Sequence, residues 1–287
     1  MEFGKVSTVL KLAKVSPRLN STNIQFIQQD RSNPANIIFA IPTAIFLLPI
    51  TGTRQPTLVA GDILKDGYRE GVGSDAWFDG ISGIVQTTSG YVVTDSWNNC
   101  IRMIQPNSQK SWNTVRYAGK CTMPGSEDGR RLSARFSHPN GLIKQGNNIY
   151  IADTKAKTIR KLDMDTESVT TIHRSEALEP KRLVLGKTSE EFYVTADHGI
   201  LQIQASKETW LVGSATSSIE VGKKPFSAAR FSYPLGITWL GANLLLVADQ
   251  ESDSIKVVDL YRQRVESICS GKLLIQHIRK EPSHEKQ

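Results

Sequence analysis

The protein has 287 residues, of which 39% are hydrophobic and 22% are charged, and these ordinary globular values exclude wholesale disorder. The formal net charge of +7 permits acidic partners without arguing for them. The three cysteines show no CxxC pair and no metal-ligand spacing, so they predict no cysteine-based metal site.

The most apolar segment lies near the start of the chain, at residues 37–50. It is shorter than the ~20 residues that a membrane-spanning helix needs, and Pro42 and Pro49 interrupt it. A secretion signal would begin nearer the N-terminus. We therefore predict two core strands, 37–41 and 44–50, joined at Pro42-Thr43. A membrane anchor at 37–50 is the alternative, because basic residues precede the segment.

Four later stretches share one pattern, in which an apolar strand, an aspartate with small polar neighbours and a second strand follow one another. They are GYVVTDSWNNCIRMI (90–104), NIYIADTKAKTIRKL (148–162), EFYVTADHGILQI (191–203) and LLLVADQESDSIKVV (244–258). Further strands complete each unit, so a unit holds about four strands at a spacing of roughly 40–60 residues. Such units are typical of β-propellers, whose blades stack around an axis and share a core.

The residues that recur once per unit have structural explanations. One acid follows the second strand of each unit, where its carboxylate can accept backbone N–H groups in the turn: Asp95, Asp153, Asp197 and Asp249. One aromatic ring precedes the first strand of three units and is predicted to wedge between neighbouring sheets: Phe78, Phe136 and Phe231. We assign both sets to the architecture rather than to catalysis.

The motifs SARFSHPNGL…NIYIADTKAKTIRKL and DSWNNCIRMI…VRYAG resemble the NHL repeat. The family pattern runs A-R-F-x-x-P-x-G-I, then A-D-x-x-N-x-x-I-R-x-I, then A-G. The unit around 191–203 departs from it, because it lacks the ARF element and has a shortened turn, and the N-terminal segment follows the plan of that degenerate unit. The resemblance implies an all-β propeller of four-stranded blades.

Five complete blades are predicted, at about 17–61, 62–121, 125–173, 174–215 and 219–271. We interpret residues 1–16 as an orphan outer strand with a linker, and residues 272–287 as a polar C-terminal tail. NHL propellers commonly have six blades, so the chain is expected to form either a five-bladed ring or a six-bladed ring that has lost most of one blade. In the second case the native start would lie upstream, and a signal peptide could be missing with it.

The cysteine pair gives an indication of the compartment. Cys100 begins the third strand of its blade and Cys121 follows the fourth strand, and these ends of an antiparallel hairpin meet. Secreted NHL-like animal proteins show a similar pair, so the resemblance implies a disulfide and an oxidising compartment. Two reduced thiols brought together by the strand register are the alternative.

The loops on one propeller face would carry a mixed basic and aromatic set: Trp97, Arg130, Arg131, Lys155, Lys157, His198, Lys223 and Lys224. Some NHL propellers bind RNA through a basic surface of this kind. Acidic residues near these positions favour the alternative that these are ordinary solvent-exposed charges balanced by their neighbours. Related propellers include a zinc-dependent lyase and esterases or lactonases, but the histidines here do not occupy equivalent repeat positions, and no catalytic nucleophile motif occurs.

We predict a non-catalytic binding scaffold for a protein or a small ligand, in an extracellular setting, with no cofactor and no metal. Three alternatives stay open: a cytoplasmic RNA-binding propeller, a form anchored in a membrane through residues 37–50, and a propeller hydrolase or lyase. The sequence does not predict the oligomeric state.

Overall fold

The computed structural model describes residues 24–52, 55–109, 111–175, 179–188, 190–213 and 223–270, apart from the side chains of residues 269 and 270. The strand and linker predicted for residues 1–16 and the tail predicted for residues 272–287 lie outside the described residues. The described chain is all-β, with a single 3-10 turn at Gly73–Asp75. None of its helical segments is long and apolar enough to cross a membrane. It divides into two compact units, residues 1–139 (unit 1) and 140–287 (unit 2).

Unit 1 contains two antiparallel sheets whose main strands pair in chain order. Blade 1 consists of β1 (Phe26–Gln29), β2 (Asn36–Ile41), β3 (Ala44–Pro49) and β4 (Thr57–Gly61). Blade 2 consists of β6 (Ile81–Thr87), β7 (Gly90–Asp95), β8 (Cys100–Pro106) and β9 (Trp112–Ala118), and the short β5 (Gly71–Val72) pairs with β9. The two-residue strand β10 (Gly129–Arg130) follows blade 2.

Unit 2 contains three further sheets with the same strand order. Blade 3 has β11 (Pro139–Gln145), which begins at the last residue of unit 1, β12 (Asn148–Asp153), β13 (Thr158–Asp163) and β14 (Ser168–Arg174). Blade 4 has β15 (Arg182–Leu185), β16 (Glu191–Ala196), β17 (Gly199–Gln204) and β18 (Lys207–Gly213). Blade 5 has β20 (Pro234–Gly241), β21 (Leu244–Asp249), β22 (Ser254–Asp259) and β23 (Arg264–Ser270), with the short β19 (Lys223–Pro225) on β23. The predicted fold class, a propeller of five four-stranded blades, is confirmed.

The apolar segment near the start forms β2 and β3, as predicted, with Pro42 and Thr43 in the turn between them. Ile38 and Ile45 point to one face of blade 1 and pack in a core shared with blade 2. Phe39 and Phe46 point to the other face, where their rings stack 5.1 Å apart. Both faces of the hairpin are therefore buried, which explains a continuous apolar run instead of an alternating pattern.

The aromatic rings that precede the first strands are fully buried. Phe78 packs with Val59 and Ala60 of β4, so it fills the space between blades 1 and 2. Phe231 lies in the corresponding core between blades 4 and 5. Phe136 lies against Gly119, whose φ is +86° and where an added Cβ would come within 2.8 Å of the ring. Each ring thus fills a closely packed space against its neighbours, with no room for a larger side chain.

An ion pair without solvent contact recurs in three blades. Each aspartate at the end of the second strand pairs with a cation seven residues later on the third strand: Asp95 with Arg102 at 2.9 Å, Asp153 with Arg160 at 3.0 Å and Asp249 with Lys256 at 2.7 Å. The side chains are between 0% and 1% exposed. In blade 5 the Asp249 carboxylate also accepts the backbone N–H of Tyr233 at 2.8 Å. The pair therefore joins the loop that enters a blade to the turn between its second and third strands.

Blade 4 departs from this arrangement. Its second strand ends at Ala196, which pairs directly with Gly199, whereas Asp249 pairs with Ser254 at the same point of blade 5. The shortened turn therefore places Asp197 in the turn itself. Its carboxylate binds the Lys181 ammonium at 2.8 Å and is 38% exposed, so Asp197 does not share the buried role of the other three aspartates.

The last blade of unit 2 exposes positions that an earlier blade buries. Ala152 and Ile159 of blade 3 are buried in a core shared with blade 4. The matching residues of blade 5 are Ala248, which is exposed, and Ile255, which is 38% exposed. This face of blade 5 thus keeps an apolar composition while remaining accessible to solvent.

The buried pairs predict a large difference between two cation substitutions in blade 5. Lys256→Met leaves Asp249 as an uncompensated buried charge, so we expect the free energy of unfolding to fall by about 3–5 kcal/mol. Arg262→Met removes the exposed pair with Asp259, which has an N–O distance of 3.1 Å, and should cost about 0–1 kcal/mol. Urea unfolding of the wild type and both variants measures the difference. Equal losses in the two variants would contradict the assigned role.

Candidate functional site

The turn after β7 presents an exposed indole on blade 2. Trp97 is 63% exposed, and its ring meets the imidazole of His138 edge-on, with 4.1 Å between the ring centroids. The backbone N–H of Trp97 donates to the carbonyl of Asp79 at 3.0 Å. Beneath the indole lies Gly80, with φ +81°, where an added Cβ would lie 2.4 Å from Cδ1 of Trp97. The indole is thus seated against a backbone position that only glycine allows.

The histidine is held as firmly as the tryptophan. His138 has a φ of +58°, a left-handed conformation that is unfavourable for a residue with a Cβ. Its backbone N–H donates to Asn99 Oδ1 at 2.9 Å, and the hydroxyl of Ser96 donates to the carbonyl of Pro139 at 2.6 Å. The turn that carries Trp97 therefore also fixes the backbone on both sides of the imidazole. We call Trp97 and His138 the aromatic patch.

A disulfide fastens the same turn. Cys100 and Cys121 are bonded, as predicted, with their Cα atoms 4.9 Å apart. Next to the bond, the backbone N–H of Thr122 donates to the carbonyl of Asn98 at 2.6 Å. The segment after β9 is therefore tied to the turn of the aromatic patch by one covalent bond and one hydrogen bond.

The surroundings of the patch carry acidic groups. Burial, followed by the nearby carboxylate of Asp66, raises the pKa of Asp79, the residue whose carbonyl holds Trp97. The side-chain amide of Asn98 donates to the carbonyl of Gly67 at 2.9 Å, which brings the loop that contains Asp66 to the turn. Two carboxylates therefore belong to the loops that adjoin this turn.

The other candidate residues of unit 1, Arg130 and Arg131, differ in how far their side chains are available to a ligand. Arg130 is exposed on β10. Arg131 donates from Nη1 to the carbonyl of Tyr117 at 3.2 Å, and its guanidinium lies 4.6 Å from the centroid of that ring. The Arg131 side chain is therefore used to pack against β9.

The candidate cations of unit 2 are dispersed, and two of them face carboxylates. Lys155 binds Glu179 at 2.9 Å, and Lys223 lies 3.6 Å from Glu266. Lys223 and Lys224 lie on β19, along the outer edge of blade 5, and not in a loop between two blades as predicted. Lys157 is partly buried in its turn, and Nδ1 of His198 forms a hydrogen bond with the carbonyl of Ser232 at 2.9 Å. Within the described ranges, no group of three His, Cys, Asp or Glu side chains could hold a metal ion.

Comparisons with known proteins agree with the repeat. No family model matches the chain. Human NHL repeat-containing protein 2 is 24% identical over 234 residues, which cover 68% of this chain and 31% of that protein. The chain resembles the NHL-repeat β-propellers. The bovine NHL repeat-containing protein 2 is 30% identical over 95 residues, or 33% of this chain and 12% of the relative, so this chain spans less than a third of the length of either relative.

Solved structures agree with the propeller fold. A structure from a nidogen/laminin complex has a TM-score of 0.60 at 13% identity, covering 88% of this chain and 80% of that chain. A streptogramin B lyase structure has a TM-score of 0.51 at 12% identity, covering 86% and 69%. At these identities the likeness concerns the fold alone.

Sequence reasoning missed two features of the site in this propeller. The partner of Trp97 was not foreseen, because His138 lies far along the chain and reaches the indole only through a left-handed backbone. A signal for Trp97 itself was present, since the matching residues of blades 3 and 5 are Lys155 and Glu251, so the tryptophan departs from its own repeat. The buried cations were also missed, although each follows its aspartate by seven residues.

The disulfide predicts a measurable loss of stability on reduction. The double variant Cys100→Ser/Cys121→Ser opens a loop with a sequence separation of 21, so the free energy of unfolding should fall by about 3 kcal/mol. Denaturant unfolding measures the loss, and a phosphine reductant should destabilise the wild type while leaving the double variant unchanged. A wild type that is indifferent to the reductant would refute the bond.

Proposed function

We propose that this NHL-type propeller is a non-catalytic binding scaffold and that a protein partner docks on the aromatic patch. The observation that carries the proposal is an indole that is 63% exposed and yet held in place by a histidine ring, a glycine and a disulfide-bonded turn. Tryptophan is enriched among the residues that dominate protein interfaces, because it offers a large contact area with few rotatable bonds. A side chain that is already fixed loses little entropy when a partner binds.

The charges around the patch favour a protein over a nucleic acid. Binding of single strands combines stacking aromatics with cations that contact phosphates. The loops that adjoin the patch contribute the carboxylates of Asp66 and Asp79 instead. RNA binding therefore has less support than protein binding.

The disulfide supports an extracellular setting for the scaffold, because such bonds persist in oxidising compartments. The nidogen/laminin structure is a complex of two proteins and offers a precedent for a related fold in protein recognition. The chain spans 31% of its human relative, so the proposal concerns this surface and does not extend to the activity of that longer protein.

Peptide selection tests the proposal. A library of random 12-residue peptides is selected on the immobilised full chain, and the enriched peptides are titrated against the wild type, Trp97→Ala and Trp210→Ala. Trp210 is a second exposed tryptophan, on β18. Loss of a hot-spot tryptophan costs about 2 kcal/mol or more, so we expect the dissociation constant to rise about 30-fold or more in Trp97→Ala and to stay unchanged in Trp210→Ala.

Two outcomes would overturn the proposal. One is a set of enriched peptides that bind Trp97→Ala as tightly as the wild type. The other is tight binding of polyuridylate that weakens steeply with salt and does not depend on Trp97, which would favour the nucleic-acid alternative.

A further inference from the structure

An arginine without an acidic partner lies at the start of the first strand of blade 4. Arg182 is partly buried on β15, and its Nη1 donates to Oδ1 of Asn140 on β11 of blade 3. Its backbone N–H donates to the hydroxyl of Thr195 at 3.0 Å, which fixes the base of the side chain. Within the part of the chain that the structure describes, no carboxylate lies within 4.0 Å of this guanidinium. The buried cations Arg102, Arg160 and Lys256 each have one.

One edge of this guanidinium is available to a ligand. Nε and Nη2 of Arg182 have no partner among the described residues, and neither nitrogen is sealed from solvent. The parallel N–H groups along such an edge match the two oxygens of a carboxylate. Burial lowers the pKa of Arg182 to about 10, so the group stays charged at neutral pH in a setting that disfavours its charge. An anion at this edge would relieve that cost.

The charged side chains beside Arg182 within the described part of unit 2 leave one positive charge uncompensated. The Lys181 ammonium is neutralised by Asp197 at 2.8 Å and lies 4.5 Å from the centroid of the Tyr233 ring. Tyr233 precedes the first strand of blade 5, and its ring contact with Lys181 brings it to the start of β15, next to Arg182. Asn140, Arg182 and Tyr233 thus come from the beginnings of the first strands of three successive blades of unit 2. Two cations face one acid, which suits a ligand with a single negative charge.

We propose that Asn140, Arg182 and Tyr233 form a binding site for a carboxylate, which the Nε–Nη2 edge of Arg182 holds by two parallel hydrogen bonds. The Asn140 amide keeps the guanidinium plane in position, and Tyr233 lines the site. A phosphate dianion fits less well, because the second nearby cation, Lys181, is already paired. The site belongs to unit 2 and does not depend on the protein partner proposed for the aromatic patch of unit 1.

A titration of the full chain tests the site. Propionate is added at constant ionic strength while the 15N resonance of the Arg182 Nε–H group is followed by NMR, with propionamide as the uncharged control and inorganic phosphate as the competing anion. We expect a saturable shift with propionate alone. Hydrogen bonds to charged groups predict an affinity about 10- to 100-fold lower in Arg182→Gln. Arg262→Gln, a change at an exposed arginine of the same unit, should bind like the wild type.

The variant Arg182→Lys shows whether binding needs the paired N–H donors of the guanidinium or only its positive charge. It also provides a test if Arg182→Gln does not fold. Arg182→Lys keeps the charge but loses the paired donors, so it should also bind more weakly. If Arg182→Gln does not fold, the wild-type titration and Arg182→Lys decide the question. Full affinity in Arg182→Lys, equal binding of phosphate, or no saturable shift would each overturn the proposal.

Two tripeptides identify the source of the carboxylate. Gly-Gly-Ala with a free C-terminus is compared with its C-terminal amide. Tighter binding of the free peptide than of propionate assigns the site to a peptide C-terminus, whereas equal affinities assign it to a small carboxylate, and both results support the site. Trp97→Ala should leave all of these titrations unchanged, so failure of this proposal and failure of the proposed scaffold are distinguishable.

Discussion

The buried pair between an aspartate and the cation seven residues later organises the blades that carry it. In blade 2, Oδ1 of Asp95 accepts the backbone N–H of Asp79 at 2.8 Å and the side-chain amide of Asn98 at 2.9 Å, while Oδ2 accepts Arg102. Arg102 also donates to the carbonyl of Arg69 at 2.9 Å. Burial raises the pKa of Asp95 to about 6 against the opposing effect of Arg102, so the pair is charged at neutral pH but costly to bury. Loops entering the blade are thereby held to its central turn.

The candidate surfaces follow from where this pair occurs and where it is missing. In blade 2 the pair positions Asp79 and Asn98, which in turn support the turn that carries Trp97. Blade 4 has Ala196 in place of the acid, and its cation Lys181 pairs with the half-exposed Asp197. Arg182 lies on the first strand of the same blade, and among the described residues it has no acidic partner. The same repeat thus gives a fixed aromatic surface in blade 2 and an arginine without a nearby acid among the described residues of blade 4.

Much of the fold could be predicted from the sequence, because propeller blades repeat their strand and turn chemistry. The apolar segment at residues 37–50 was predicted as two strands, and the fold shows why, since both faces of that hairpin are buried. Antiparallel pairing also explains why the Cys100–Cys121 bond could be anticipated.

The site was less predictable, because it depends on departures from the repeat. A shortened turn moved Asp197 out of the strand, and the short strand β19 placed Lys223 and Lys224 along an edge. Neither the left-handed backbone of His138 nor the free edge of Arg182 has a sequence pattern. Such features arise from contacts between residues that are distant in the chain, and a pattern of hydrophobicity and spacing does not specify them.

The ring-current shift of the His138 imidazole protons tests most directly whether the buried pair holds the aromatic patch. The edge-on contact with Trp97 should shift these protons strongly in the wild type and not at all in Trp97→Ala. If the network of Asp95 and Arg102 fixes the turn, the shift should also shrink in an Arg102→Met variant that keeps its β-sheet circular dichroism spectrum. An unchanged shift in that variant would show that the aromatic patch is held without the buried pair, and would contradict the organising role of the pair in blade 2.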